Sequence, residues 1–145
     1  MTTTSDLSAV LYVSSADVAF TSVDLIDLAS RAASANEGRE VTGYLWFDGS
    51  MFVQYLEGPP AEVEAVLATI SADDRHTIVK TFRRLYPADA RRFVGWNMRL
   101  MNDVERFEMH LDGVVAALLA QADSGDGPPP ASTWVLTDRL AELRA

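Results

Sequence analysis

The segment VTGYLWFDGSMFVQYLEG, residues 41–58, carries the strongest folding signal in this chain. Two apolar runs flank Asp48-Gly49, a dipeptide typical of the tight turn in a β-hairpin. Side chains alternate between the two faces of a strand, and both faces of the second run are apolar. We therefore predict a hairpin inside a sheet that is covered on both faces, with Gln54 in the core.

Before the hairpin, a strand pattern is followed by a helix pattern. Residues 7–14 (LSAVLYVS) are β-branched and apolar enough for a first strand. Thr21 or Ser22 is the expected N-cap of the first helix, and Asp24 follows Thr21 at the spacing of a capping box. An apolar stripe continues to Asn36, which we place at the inward-facing end of this helix.

After the hairpin, the same alternation continues. Residues 60–70 are predicted to form a second helix that begins at a proline, and residues 76–85 and 91–101 a fourth and a fifth strand. The order is that of an α+β, ferredoxin-like βαββαβ(β) sheet with both helices on one face. Because the first and third strands are usually neighbours in this fold, Tyr12 and Gln54 should lie side by side. A phenol then satisfies part of the bonding capacity of the amide.

Composition excludes several classes of function. The 145 residues include no cysteine, which excludes disulfides, thiolate zinc sites and cysteine nucleophiles. The net charge of -9 argues against a nucleic-acid partner. No segment approaches the ~20 apolar residues of a membrane helix and no signal peptide is recognisable, so we expect a cytoplasmic protein without a membrane partner. His76 and His110 stand in no hydrolase or zinc motif, and we expect neither an enzyme nor a metal site.

The C-terminal third is predicted to be helical. An amphipathic helix over 102–121, the connector SGDGPPPAS and a short final helix through Leu143 follow the last strand. We expect these two helices to pack on the second face of the sheet, although a second subunit can cover the same surface. The predicted organisation is a domain over 1–102 and an extension over 103–145 within the same compact unit.

The polar core residues suggest a ligand cleft. Tyr12, Asn36 and Gln54 lie on the face that both helices cover, so these neutral side chains can converge on a flat heterocycle. Charged or basic side chains that can meet a ligand tail follow the second helix: Asp73, Arg75 and His76. Each residue has a structural alternative, in which Asn36 ends its helix, Tyr12 bonds a backbone carbonyl and Gln54 lies at an exposed edge.

Five motifs occur here in a characteristic order and spacing. They are LYVS with Tyr12, NEGREVTGYLWF with Asn36, MFVQYLEGP with Gln54, DDRH with Arg75 and His76, and RRFVGWNM with Trp96 and Met98. Each is weak alone, but the set covers residue 7 to about residue 102. On these motifs the chain resembles the BLUF family, the blue-light sensors that use flavin.

The resemblance implies a photoreceptor whose two helices hold the flavin ring. Tyr12 is then the donor of an electron and a proton to the excited flavin, and Gln54 rotates or tautomerises, which shifts the flavin band slightly to the red. Asn36 holds a flavin carbonyl, whereas Asp73, Arg75 and His76 lie near the sugar or phosphate. Trp96 and Met98 relay the signal, with an ordinary core position as the alternative for Trp96.

The expected cofactor is FAD, with FMN or riboflavin as alternatives. Family members often carry a bulky side chain just before the asparagine, where this chain has Ala35. A flavin contact is therefore missing or replaced. This departure bears on affinity more than on photochemistry.

Three hypotheses of function follow. The first is a short photoreceptor that signals to a separate, unidentified effector protein and forms a homodimer or larger homo-oligomer. The second is a flavin-free adaptor module, which only Ala35 favours. The third is a flavin-dependent oxidoreductase, which is disfavoured by a cleft that encloses the ring without a second substrate site.

Overall fold

The computed structural model contains the predicted hairpin at the heart of a mixed sheet. The strands are β1 (Leu7–Ala16), β2 (Thr42–Phe47), β3 (Met51–Gly58), β4 (His76–Tyr86) and β5 (Arg99–Leu100), and the helices are α1 (Ser22–Glu37) and α2 (Pro60–Ser71). The strand order is β4-β1-β3-β2-β5. β1 and β3 are antiparallel central neighbours, and β5 runs parallel to β2. The predicted ferredoxin-like α+β fold is confirmed.

The register of the central pair brings the two polar core residues together. Tyr12 of β1 lies directly opposite Gln54 of β3. Seven of the eight residues of β3 are buried, on both faces of the strand. This continuous burial is typical of a strand covered on both sides, and it confirms the core position predicted for Gln54.

Both helices cover the face of the sheet that carries Tyr12. α1 begins with the predicted capping box, in which the Thr21 hydroxyl accepts from the Asp24 N–H and the Asp24 carboxylate accepts from the Thr21 N–H. α2 has Pro60 at its first position, where a missing N–H costs nothing. The shared core combines side chains of both helices and of the sheet: Val10, Ala29, Leu45, Phe52, Leu56, Val63, Val66 and Leu67.

The predicted fifth strand is wrong in extent. Only Arg99–Leu100 pairs as a strand, whereas residues 91–98 form turns and bends. The N–H groups of Arg92 and Phe93 donate to a side-chain carboxylate instead of a neighbouring strand. Gly95 adopts φ +84, a left-handed conformation that interrupts an extended chain. The segment therefore bends around the edge of the sheet before β5 begins.

The structure describes residues 6–47, 49–87, 90–101, 134, 137–138 and 141–142. The chain divides into two compact units, Met1–Leu100 and Met101–Ala145. The predicted helix over 102–121 lies outside the described residues, as does the packing predicted for the C-terminal helices, so the domain boundary at 102 stays a prediction. No helix in the described part of the chain is long and apolar enough to cross a membrane.

Candidate functional site

A cavity of about 410 Å³ opens between α1, α2 and the sheet. Such a volume falls in the range of small-molecule sites. The cavity is lined by Tyr12, Phe20, Leu28, Arg31, Ala32, Ala35, Asn36, Arg39, Leu45, Phe52, Gln54, Val66, Thr69, Ile70, Asp73, Arg75 and His76. The structure thus brings all six predicted binding residues to the walls of one cavity.

Tyr12 and Gln54 form the polar floor of this cavity. The Tyr12 hydroxyl donates to Oε1 of Gln54, and Nε2 of Gln54 donates to Sδ of Met98 at 3.3 Å. Gln54 is only 4% exposed. A thioether is a weak acceptor and an amide nitrogen carries two N–H donors, so Gln54 has bonding capacity left for a ligand in the cavity.

The phenol of Tyr12 is held in its neutral form. Burial raises the pKa of Tyr12 far above its ordinary value of 10.0, and the negative charge of Asp73 raises it further. At physiological pH the side chain is therefore an oxidisable group that retains a transferable proton.

Asn36 lies at the end of α1 and also lines the cavity. Its backbone carbonyl accepts from the N–H groups of Arg39 and Val41, which satisfies the end of the helix. Its side-chain amide donates from Nδ2 to the carbonyl of Asn97 at 2.8 Å. The helix-ending role and the cavity position are thus compatible, and the side chain also connects α1 to the segment before β5.

Asp73 and Arg75 form a closed pair at the cavity rim. The guanidinium donates to both carboxylate oxygens, at 2.6 Å for the shortest contact. These hydrogen bonds lower the pKa of Asp73 to about 2. The Arg75 guanidinium also lies 5.5 Å from the ring centre of Phe20, a cavity residue that the sequence analysis did not single out.

His76 is partly buried and lines the cavity. Nε2 is 2.8 Å from the carbonyl oxygen of Ile70, to which it must donate, and Nδ1 is 2.8 Å from the hydroxyl of Ser14. The ring therefore links the end of α2 to β1 while it lines the cavity. Both nitrogens are engaged with the protein, so His76 positions the wall of the site more than it offers a free donor.

The protein family of this chain is recognisable from its sequence. A family model described as "BLUF: Sensors of blue-light using FAD" matches residues 7–99. The chain belongs to the BLUF family. BLUF domains bind a flavin and act as sensors of blue light, and this BLUF domain is a sensor domain and not an enzyme.

Relatives of this BLUF domain are found in larger regulatory proteins. The blue light- and temperature-regulated antirepressor BluF of Escherichia coli K12 is 38% identical over 76 residues, 52% of this chain and 19% of the relative. The photoactivated adenylate cyclase subunit beta of Euglena gracilis is 33% identical over 89 residues, 57% of this chain and 10% of the relative. The matched region thus spans a fifth or less of either relative.

A solved structure matches nearly the whole chain. The dark-state structure of BlrB, a BLUF protein, has a TM-score of 0.72 and 27% sequence identity. The match covers 97% of this chain and 99% of that chain. The likeness supports the fold and the membership of the BLUF family.

The cavity of this BLUF domain fits a flavin. Its apolar walls come from both helices, and the small side chains of Ala32 and Ala35 leave the space between them open. Hydrogen-bonding amides stand at the floor and at one side, at Gln54 and Asn36. Amides of this kind suit the carbonyls and ring nitrogens of an isoalloxazine, and apolar walls suit its flat faces.

The two predicted relay residues lie in different places. Met98 is buried beside Gln54 and contacts its amide. Trp96 does not line the cavity; its ring packs 5.3 Å from that of Phe93, and the Arg99 guanidinium lies 5.0 Å from its centre. In this BLUF domain the segment before β5 therefore presents Met98 to the polar floor and keeps Trp96 outside it.

The sequence analysis missed Glu57, the charged residue at the end of β3. It is fully buried, on the opposite face from Gln54, and its carboxylate accepts hydrogen bonds from Thr42, Tyr55, Arg92 and Phe93. The available signal was alternation, because Glu57 falls on the same face as Val53 and Tyr55, which had been predicted to be apolar and covered. A carboxylate at such a position requires several donors.

Proposed function

We propose that this chain is a blue-light photoreceptor in which Tyr12 and Gln54 form the switch. The observation that carries the proposal is the buried series of hydrogen bonds from Tyr12 through Gln54 to Met98 at the floor of the cavity. It joins an oxidisable phenol to an amide that can exchange donor and acceptor. It also ends on the segment that leads to β5.

A flavin held by these residues would supply blue-light absorption and an electron acceptor. Tyr12 is the donor, and its hydroxyl proton lies on the hydrogen bond to Oε1 of Gln54. Gln54 would rotate or tautomerise as the electron and the proton return to Tyr12, which changes the atoms that face Tyr12 and Met98 with no change of net charge. The rearrangement redirects the hydrogen bonds at the floor, and a small red shift of the flavin band is the expected result.

The residues that line the cavity support proposals for the remaining binding roles. Asn36 and Gln54 are proposed to bond the polar edge of the flavin ring. Asp73, Arg75 and His76 are proposed to border its ribityl or phosphate end, because they line the cavity at the end of α2. FAD is the proposed flavin, on the description of the family. Ala35 adds only a methyl group to the wall.

Signalling is proposed to reach a separate effector protein. The relatives include a blue light- and temperature-regulated antirepressor and a photoactivated adenylate cyclase subunit, and these names couple a response to light with a different output in each protein. We propose that the partner binds a homodimer or larger homo-oligomer of this chain. The cytoplasmic location stays a prediction.

The decisive experiment is the visible absorption spectrum of the purified protein in the dark and just after blue illumination. A flavin band that shifts to the red and recovers in the dark supports the photoreceptor. The red shift should vanish in Tyr12→Phe with flavin retained, and it should persist in Tyr44→Phe, which alters a buried tyrosine on the opposite face.

Other outcomes support the rival hypotheses. A protein that stays colourless after incubation with FAD, FMN and riboflavin contradicts the photoreceptor and favours the adaptor. Rapid bleaching of the flavin by NADH favours the oxidoreductase. A normal red shift in Tyr12→Phe contradicts the proposed switch even if the protein is photoactive.

A further inference from the structure

Glu57 holds the segment before β5 by its backbone. Its carboxylate accepts from the N–H of Arg92 at 2.9 Å and from the N–H of Phe93 at 2.6 Å. The hydroxyls of Thr42 and Tyr55 donate to the same carboxylate at 3.2 and 2.9 Å. All four groups are donors, which suits a carboxylate because its two oxygens accept hydrogen bonds. Residues 92 and 93 are thereby attached to the centre of the sheet.

Neighbouring contacts strengthen this attachment. The Arg91 guanidinium donates to the Thr42 hydroxyl at 3.0 Å and to the backbone carbonyl of Glu57 at 3.3 Å. The buried ring of Phe93 packs 5.6 Å from that of Tyr44 and 5.2 Å from that of Tyr55. Residues 91–93 are therefore held by polar and apolar contacts on the face of the sheet opposite Gln54.

The other half of the segment lies with the switch. Nε2 of Gln54 donates to Met98, and Nδ2 of Asn36 donates to the carbonyl of Asn97. The N–H of Gly43 in β2 donates to the carbonyl of Trp96 at 2.7 Å. The segment thus passes around the β2 side of the sheet, from the Glu57 face to the Gln54 face. Each half has partners of its own, and the halves also contact each other, because the N–H of Trp96 donates to the carbonyl of Phe93 at 3.1 Å and the two rings pack 5.3 Å apart.

Two residues join the halves, and both are exposed. Val94 is 59% exposed, and Gly95 adopts φ +84 with no atom within 4 Å of the position that a Cβ would take. Glycine reaches both signs of φ at little cost, so the backbone can turn here when the hydrogen bond from the Trp96 N–H to the Phe93 carbonyl adjusts. The geometry is that of a hinge between a fixed part and a part attached to the switch.

We propose that Glu57 is a positioning residue of the photoswitch, which fixes residues 91–93 so that movement started at Gln54 is confined to residues 96–98 and turns at Gly95. The inference rests on the proposed function, because it requires Gln54 to change its partners in light. It adds a fixed point and a hinge to that function. Without the fixed point, the same movement would spread along the whole segment.

The first test uses the flavin-loaded, unmodified chain and site-resolved amide exchange by NMR, in the dark and under continuous blue light. The amide of Gly43 reports the half attached to the switch, and the amides of Arg92 and Phe93 report the fixed half. Light should accelerate exchange at Gly43 by about tenfold and leave Arg92 and Phe93 within about twofold. Equal acceleration at all three amides would overturn the fixed point.

Two glutamate variants form a matched pair. Glu57→Gln turns an acceptor-only group into one with an NH₂ that faces N–H and O–H donors, whereas Glu64→Gln alters an exposed pair with Arg83. In Glu57→Gln alone, exchange at Arg92 and Phe93 should become light-sensitive while the red shift stays normal. Loss of the red shift would place Glu57 in the switch itself, and unchanged exchange would remove its positioning role; either result overturns the proposal.

Two glycine variants test the hinge. Gly95→Ala and Gly49→Ala each place a Cβ at positive φ with open space around it, and only Gly95 lies between the two halves. Recovery of the red-shifted flavin band in the dark should slow by about threefold or more in Gly95→Ala and by less than about twofold in Gly49→Ala. Equal recovery rates would overturn the hinge.

Failure of the proposed function has a different signature. An unmodified protein that binds flavin without any red shift contradicts the photoreceptor, and the light-driven pivot with it. A normal red shift with a light-sensitive Phe93 amide contradicts the pivot alone. Should Glu57→Gln not fold, the exchange measurement on the unmodified chain still decides.

Discussion

Gln54 and Glu57 lie three residues apart on β3, on opposite faces, and their surroundings differ in kind. Both are buried, at 4% and 0% exposure. The partners of Gln54 are a phenol and a thioether, which belong to side chains. Two of the partners of Glu57 are backbone N–H groups, which a packed segment holds in place. The same strand therefore carries one polar group that is bonded to side chains and one that is bonded in part to backbone.

The chemistry of the two side chains reinforces this difference. An amide has a donor end and an acceptor end, so a half rotation changes every bond it makes. A carboxylate presents two equivalent acceptor oxygens, and rotation changes nothing. A buried polar side chain can change its hydrogen bonds when its two ends differ and its partners can adjust. A side chain with two equivalent ends that is bonded to backbone stays fixed instead.

The largest expected effect comes from removing the exchangeable group. Gln54→Leu keeps the approximate volume of the side chain and deletes both ends of the amide. We expect complete loss of the light-induced red shift with the flavin still bound, as measured by difference absorption. A residual red shift of normal size would show that the bonding change lies elsewhere, and the contrast with Glu57 would lose its basis.

Removing the fixed group should affect folding instead. Glu57→Ala leaves two backbone N–H groups and two hydroxyls without their acceptor, and we expect a loss of about 3 kcal/mol in the free energy of unfolding. Glu64→Ala, at an exposed pair, should change it by less than about 0.5 kcal/mol. Urea unfolding of both variants measures the difference, and similar values would argue that Glu57 is no anchor.

Asn36 provides a further test of the contrast between Gln54 and Glu57, because its side chain donates to Asn97, next to Met98. Asn36→Ala removes a donor to Asn97 and the proposed bond to the flavin. We expect the flavin Kd to rise about tenfold, equivalent to about 1.4 kcal/mol, with little change in the amide exchange of Phe93. Titration of the flavin-free protein provides the value. An unchanged Kd would leave Asn36 with its structural roles alone.

The smallest expected effect is the pH dependence of stability, in which Tyr12 and Tyr55, on opposite faces of the sheet, should behave alike. Burial raises the pKa of Tyr12, with Asp73 adding to the shift, and burial likewise raises the pKa of Tyr55, with the charge of Glu57 adding to it. Both phenols then keep their protons in the folded state when unfolded tyrosines ionise near pH 10. The stabilisation is complete below about pH 10 and is lost as the pH rises further.

Ultraviolet titration in the dark checks this expectation. Tyrosinate absorbance from Tyr12 and Tyr55 should develop only together with unfolding at alkaline pH. Between pH 6 and pH 9 the red shift should therefore be independent of pH as far as Tyr12 is concerned. Ionisation of Tyr12 in the folded state below pH 10 would contradict the burial argument.

Local signals predicted the elements well. Asp48-Gly49 marked the hairpin, and Thr21 with Asp24 marked the start of α1, because turns and caps depend on a few neighbouring residues. Alternation placed Gln54 in the core and, with the strand order of a known topology, beside Tyr12. The predicted cavity residues do share one cavity, whereas their action on a flavin stays a proposal.

The same local signals gave a wrong prediction for the segment before β5. Residues 91–101 have the apolar content of a strand, but the backbone N–H groups of Arg92 and Phe93 donate to the carboxylate of Glu57, 35 and 36 residues earlier in the chain. Local pattern carries no information about such a distant partner. The separation of Met98, which contacts Gln54, from Trp96, which packs on Phe93, follows from that bend.

Periodicity, turn chemistry and short motifs were sufficient to predict the first four strands, the two helices, the hairpin and the family. The bonding partners of the buried polar groups depended on the fold, because Gln54 bonds Tyr12 and Met98, whereas the Glu57 carboxylate accepts from the N–H groups of Arg92 and Phe93. The physical reason is that a buried polar group takes its bonding partners from whatever the fold brings near. Those partners decide whether it can move.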